Sequence, residues 1–154
     1  MLSFHTPLEI STHVVITRSD GLVLFDGSNI IVQTAIYDYL QSLTAAYTSS
    51  PITTLQIGSG GTYDVQGLNP IVPTRGQTAM NSYLDTVAAA ASAPISTSTS
   101  VTFTASVPST VANGVLVSEA GLFNAAGYMM NYITFPAITK SSEFGLNFAW
   151  TISI

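Results

Sequence analysis

The chain has no cysteine and very few charged residues. Only 7% of its 154 residues are Asp, Glu, Lys or Arg, whereas about 25% is usual in globular proteins. Without cysteine, disulfides and thiolate metal sites are excluded. Apolar residues make up 47% of the chain, which is typical of a folded domain and not of a disordered segment. We expect a surface so poor in charge to be covered by copies of the chain or by partners; the alternative is an ordinary neutral, threonine-rich β domain.

Cations are the scarcest charged residues. Arg18, Arg75 and Lys140 stand against eight acids, and the formal net charge is −5. Nucleic-acid binding needs clustered Lys and Arg, so we predict no nucleic-acid partner. An anionic membrane surface is disfavoured for the same reason. No apolar run approaches the roughly 20 residues of a membrane-spanning helix, so we predict no membrane partner.

Short segments of alternating or β-branched residues run through most of the sequence. They predict strands at 13–18, 22–25, 52–57, 96–107, 115–123, 128–135 and 144–154. Apolar residues at helical spacing predict one helix over residues 30–43, with Ser28 or Asn29 as its N-cap. Residues 83–91 are ambiguous, because their alanines favour a helix but no clear apolar face emerges.

A turn dipeptide and a proline predict where two of these strands begin or end. Asn113-Gly114 predicts a hairpin turn, and Pro136 is expected to end the strand before it.

These elements predict a mainly β fold. We expect an antiparallel β-sandwich, jelly-roll-like or immunoglobulin-like, with one α-helix near residues 29–45 covering one end or face. Residues 1–10 are expected to form an N-terminal arm, and residues 11–154 a single domain. The arm and the loop-like segment 62–82 are the expected contact elements, because long irregular segments in a compact domain are often functional.

The residues that could carry chemistry are few. Gly58-Ser59-Gly60-Gly61 follows a predicted strand, but no Lys-Ser/Thr and no helix follow, so we interpret it as a glycine-rich strand exit and not as a phosphate loop. A hydrolase would need His5 or His13 with a serine and an acid such as Glu9. No Gly-x-Ser-x-Gly elbow is present. We therefore predict a protein that is not an enzyme, with no catalytic residue, cofactor or metal site.

Glu119 lies inside the apolar segment 115–123. A buried carboxylate without a partner is costly. We therefore expect Glu119 to pair with Arg75 or Lys140, or to accept backbone N–H groups, and so to pin a loop to the sheet. A catalytic role would need a second titratable group nearby.

Aromatic residues are plentiful, with seven Tyr, seven Phe and Trp150. Trp150 shares an alternating face with Leu146, Phe148 and Ile152, which indicates a core position. A sugar-binding platform built from aromatic faces is the alternative.

Three segments of the sequence resemble elements of a known class of phage proteins. Residues 52–62 are similar to the strand and Gly-(Ser/Thr)-Gly element of phage tail-fibre N-terminal and related virion proteins, where a helix also precedes it. Residues 117–127 resemble their Glu-x-Gly-Leu-Phe-(Asn/Asp) element, which here comprises Glu119, Gly121, Leu122 and Phe123. Residues 148–152, with Trp150, resemble their closing strand. In order and spacing the resemblance spans about residues 12–154.

The resemblance implies a non-enzymatic structural protein of a tailed-phage virion that assembles as a trimer or ring. It implies other virion proteins as partners and transfers no catalytic residue. Fibre proteins usually continue into a shaft, and here none follows in the sequence. We therefore expect a stand-alone tail, collar or baseplate adaptor that seats a fibre, or a capsid decoration protein. The alternative is a receptor- or glycan-binding module.

Overall fold

A computed structural model describes residues 9–44, 50–92 and 98–154. These residues form nine strands and one helix. The elements in chain order are β1 (Ser11–Arg18), β2 (Val23–Gly27), β3 (Ile30–Ile31), α1 (Gln33–Ser42), β4 (Ile52–Gly58), β5 (Tyr83–Ala91), β6 (Ser100–Val107), β7 (Leu116–Asn124), β8 (Met129–Thr139) and β9 (Leu146–Ser153).

The strands join in one curled antiparallel sheet. Their order is β2-β1-β9-β6-β5-β4-β7-β8-β3. β5 connects the two halves, because its first part pairs with β4 and its last three residues pair with β6. A single long strand therefore passes from one half of the sheet to the other.

Both halves of the sheet contribute to one hydrophobic core. Phe148 and Trp150 of β9 share this core with Leu55 of β4 and Leu122 of β7. The prediction of a mainly β, antiparallel fold with one helix is confirmed, as is the core position of Trp150. A jelly-roll-like or immunoglobulin-like sandwich stays a prediction, because the hydrogen bonding is continuous through β5.

β7 is buried on both of its faces. Ala120 and Leu122 lie in the main core, whereas Phe123 belongs to a second cluster with Val32, Met129 and Tyr132. The segment between β4 and β5 and the residues before α1 cover this outer face, since Ile30 and Met80 pack on the second cluster. Glu119 lies on β7 beneath these covering segments and is therefore shielded from water.

The predicted start of the helix is wrong. Ile30 and Ile31 form β3, which pairs with Tyr132 and Asn131, because β-branched residues suit a strand. α1 begins at Gln33 with Val32 as its N-cap, and neither Ser28 nor Asn29 caps it. The amide of Gln33 instead donates to the carbonyl of Arg75. Residues 45–49 lie outside the described ranges.

The structure resolves one ambiguous segment and contradicts two further local predictions. Residues 83–91 are the strand β5, where Val87 and Ala89 pack on the core; tertiary packing overrides the helix propensity of alanine. Asn113-Gly114 does not close a hairpin, because β6 pairs with β5 and β9 while β7 pairs with β4 and β8. β8 also continues through Pro136.

Pro136 is tolerated for a local reason. The pairing of β7 with β8 shifts register between Val117 and Glu119. On β8 the paired residues on either side of this shift are Thr134 and Ile138, so Pro136 lies within the irregularity. The missing N–H of proline costs little there, because that position is not paired with β7.

The predicted N-terminal arm falls largely on residues 1–8, which lie outside the described ranges. The division into an arm and one domain stays a prediction. No helix of the described residues is long and apolar enough to cross a membrane.

Candidate functional site

Glu119 is fully buried on the outer face of β7. Its backbone pairs with Gly58 at the end of β4 and with Thr134 of β8. The carboxylate therefore lies where the chain leaves β4 and passes over the sheet. This position brings together the glycine segment and the Glu119 segment that the sequence singled out.

The Glu119 carboxylate accepts four hydrogen bonds. Oε1 accepts the backbone N–H groups of Gly60 at 3.0 Å and Ser82 at 2.7 Å. Oε2 accepts the N–H of Asn81 at 3.0 Å and the hydroxyl of Tyr132 at 2.5 Å. Hydrogen bonds of this kind compensate a buried anion that has no cationic partner. We call these five residues the Glu119 network.

The predicted backbone N–H contacts of Glu119 are confirmed, and an ion pair with Arg75 or Lys140 is not formed. The amine of Lys140 donates to Asn113 and to the Ser141 carbonyl. Within the described ranges Arg18 forms an ion pair with Asp20, and His13 contacts Asp26. The carboxylate thus pins both ends of the segment 59–82 through neutral donors.

Gly58, Gly60 and Gly61 are required by close approach, not by unusual backbone angles. A Cβ on Gly58 would collide with the Glu119 carboxylate, and one on Gly60 would lie 2.6 Å from the Cβ of Asn81. A Cβ on Gly61 would overlap the carbonyl oxygen of Ser118. The Gly61 amide also donates to the Ser118 hydroxyl at 2.9 Å. The glycines therefore let the chain lie directly on β7.

Gly121, Leu122 and Phe123 complete the Glu119 segment. A Cβ on Gly121 would lie 3.1 Å from the Phe123 ring and 3.2 Å from the terminal carbon of Met129. Gly121 thus makes room for the second cluster. Leu122 lies in the main core, as does Trp150 on β9, so Trp150 is not part of the Glu119 network.

The chemistry of this network is structural. Burial, together with the hydrogen bond to Glu119, raises the pKa of Tyr132, so the phenol remains a donor. Tyr132 and Glu119 are both buried, and the acceptor positions of the carboxylate are filled. The arrangement suits holding a loop on the sheet.

The residues of a conceivable hydrolase have other contacts. His13 lies 3.0 Å from Asp26 on the neighbouring strand. The hydroxyl of Ser59 donates to that of Ser82, and Glu9 is exposed. His5 lies outside the described ranges. Among the described residues, no group of three or more His, Cys, Asp or Glu could hold a metal ion.

Residues 62–72 form an outer loop between the two ends of the segment that Glu119 holds, and we call it the tip loop. Thr62 bridges Pro70, and the Ile71 amide donates to Gly61 at 2.8 Å. The hydroxyl of Thr134 donates to the Ile71 carbonyl, and the Ala137 amide donates to Gly67 at 2.7 Å. The tip loop is thus fixed to β8 along its length.

Asp64 organises the tip loop from within. Its carboxylate accepts the backbone N–H groups of Leu68 at 3.0 Å and Asn69 at 2.8 Å. These hydrogen bonds lower the pKa of Asp64. This role was not predicted from the sequence.

Large apolar side chains project from this fixed backbone. Tyr63, Val65, Leu68 and Val72 are 73%, 91%, 68% and 76% exposed. The predicted irregular segment 62–82 therefore carries an apolar surface. Tyr132, Asn81 and Ser118 were missed, because only the folded chain brings them beside Glu119 and Gly61.

Comparison with known proteins gives no family: no family model, no curated protein and no solved structure matches the chain.

Proposed function

We propose that the protein is a non-enzymatic structural component of a bacteriophage virion that assembles through protein–protein interfaces. Its place would be the tail, collar or baseplate, as an adaptor that seats a fibre, or the capsid surface as a decoration protein. Copies of the chain would form a trimer or ring and contact other virion proteins. The segments of residues 52–62 and 117–127 support this proposal by their resemblance to virion proteins.

The tip loop is the observation that carries the proposal. Four large apolar side chains at 68–91% exposure are unusual on a surface that is meant to face water. Their backbone is already held by Asp64, Gly61 and β8. A fixed loop loses little conformational entropy on binding, so burial of its side chains converts more fully into affinity.

The charge distribution fits an apolar contact. Asp64 is the only ionisable acid or base within residues 62–72 apart from the tyrosine, and its carboxylate is occupied by the loop's own amides. A partner surface therefore needs no cation opposite the loop. We expect association through this loop to change little with salt concentration, because screening acts on charges.

The outer face of α1 supports the same proposal. None of its described residues is buried, and Tyr37, Tyr39 and Leu40 are 53%, 45% and 54% exposed. A helix in a monomeric domain usually turns its apolar stripe toward the core. Exposed apolar residues on α1 are thus a second surface for a neighbouring copy.

The test compares two leucine-to-serine variants by light scattering across a concentration series. Leu68→Ser removes an apolar side chain from the tip loop, whereas the matched control Leu22→Ser changes a 51% exposed leucine in the turn before β2. Loss of a leucine contact of about 1.5–3 kcal/mol weakens association by about tenfold or more. Equal association of wild type and both variants would contradict a tip-loop interface.

A receptor- or glycan-binding module is the second candidate. Exposed tyrosines favour it, since Tyr63, Tyr83 and Tyr128 are 73%, 55% and 60% exposed and aromatic faces can stack on sugars. Glycan-array binding that is lost in Tyr63→Ala but kept in Leu68→Ser would support this candidate. Loss of assembly in Leu68→Ser without any glycan binding supports the structural protein.

A further inference from the structure

Lys140 is fully buried directly after β8, and its amine contacts Asn113. Nζ donates to Oδ1 of Asn113 at 3.0 Å and to the Ser141 carbonyl at 2.8 Å. The ring of Phe144 lies with its centroid 5.6 Å from Nζ. Within the described ranges no carboxylate forms an ion pair with Lys140. A buried lysine without a carboxylate is uncommon and calls for an explanation.

The backbone holds the two side chains together. The Gly114 amide donates to the Lys140 carbonyl at 2.9 Å, and the Lys140 amide donates to the Val115 carbonyl at 3.1 Å. The NH₂ group of Asn113 donates to the Ser109 carbonyl at 2.8 Å. This last contact turns the carbonyl side of the carboxamide toward the amine.

Burial also shifts the protonation equilibrium of the amine toward its neutral form. Removal from water lowers the pKa of Lys140, which increases the share of neutral amine. The neutral amine is the nucleophilic form of lysine.

We propose that Lys140 and Asn113 join in an isopeptide bond that fastens the chain before β7 to the end of β8. The neutral Nζ attacks Cγ of Asn113, and a bond forms between these atoms. The bond from Cγ to Nδ2 breaks, and Nδ2 leaves as ammonia with the proton that Nζ gives up. The step needs no oxidant, cofactor or second molecule.

Positioning drives this reaction. The hydrogen bond from Nζ to Oδ1 holds the amine beside the carboxamide of Asn113, and such positioning raises the effective concentration of one group at the other. In the part of the chain that the structure describes, no carboxylate hydrogen-bonds either side chain to relay the proton. The bond therefore forms slowly and without catalysis, and its yield rises during storage of the folded protein.

The cross-link would enclose the β7–β8 pair, which contains Glu119 and Tyr132. Asn113 and Lys140 are 27 positions apart along the chain. A covalent link across such a segment restricts the unfolded chain, as a disulfide does. The chain has no cysteine with which to make one. This inference is independent of the proposed function.

Tryptic digestion with mass spectrometry tests the bond on the wild-type protein. Trypsin cuts after Arg and after Lys with a free amine, and the chain offers Arg18, Arg75 and Lys140. The free chain gives separate fragments 76–140 and 141–154. The cross-linked chain gives a single fragment 76–154 that is lighter by one ammonia. We expect this fragment to accumulate during warm storage of the folded protein.

A competing reaction has the same mass change and is distinguished by the digest. Attack of the Gly114 nitrogen on Asn113 would form a succinimide and release ammonia, but it leaves Lys140 free and cleavable. The hydrogen bond from Gly114 to Lys140 opposes that attack. A lighter fragment 76–140, or fragments of full mass after prolonged storage, would overturn the proposal. Lys140→Arg, which keeps the charge, is the control and must show no uncut fragment.

Discussion

The hydroxyl of Tyr132 donates a 2.5 Å hydrogen bond to Oε2 of Glu119, and both side chains are buried. The bond joins β7 to β8 beneath the segment 59–82. Because the remaining three donors to Glu119 are backbone amides of that segment, one carboxylate connects two strands and both ends of a loop. This connection holds both ends of the segment that contains the tip loop.

Replacing Glu119 with glutamine should strongly destabilise the protein. In glutamine an NH₂ group takes the place of one carboxylate oxygen. This NH₂ donor would then face a backbone N–H donor, and neither group would have an acceptor. We expect a loss of about 2–4 kcal/mol in the free energy of unfolding. Urea denaturation measures it, and the melting temperature should fall by about 2–4 °C for each kcal/mol.

Glu9→Gln is the matched control for that experiment. Glu9 is exposed, so the same substitution should change stability by less than about 0.5 kcal/mol. An unchanged melting temperature for Glu119→Gln would show that the carboxylate does not hold the segment.

Glycine-to-alanine substitution should separate close approach from chain flexibility. A Cβ on Gly61 overlaps the backbone of Ser118, whereas a Cβ on Gly76 has its nearest neighbour at 4.0 Å. Gly61→Ala should therefore cost about 1–3 kcal/mol or more, as overpacking does, whereas Gly76→Ala should be neutral or slightly stabilising. Equal thermal stability of the two variants would contradict the close approach of Gly61 to β7.

The order of the tip loop should depend on pH through Asp64. Hydrogen bonds from Leu68 and Asn69 lower the pKa of Asp64 below its ordinary value of 3.8. Its stabilising contribution is therefore complete above that ordinary value and is lost as the pH falls through the lowered pKa. The amide chemical shifts of Leu68 and Asn69 should titrate together with a midpoint below 3.8. A midpoint at the ordinary value would show that the carboxylate is not held by these amides.

Much of the fold could be predicted where one face of a strand is buried. The segment 144–154 alternates because Leu146, Phe148 and Trp150 face the core while their neighbours face outward. β7 shows no such alternation, since nearly all of its residues are buried. There the informative residue was Glu119, because a charge inside an apolar strand demands donors.

The other features depended on tertiary contacts that no local pattern contains. β5 passes between the two halves of the sheet despite its alanines, and Asn113-Gly114 links strands that do not pair with each other. Tyr132 and Asn81 reach Glu119 from 13 and 38 positions away along the chain. Their part in the network follows only from the folded structure.

The mass of the native protein in solution tests the central claim most directly. Each chain has a mass of 16.2 kDa. If the apolar tip loop and the charge-poor surface are buried between copies, light scattering should give a threefold or higher multiple of that mass. A species of one chain at every accessible concentration would contradict the account.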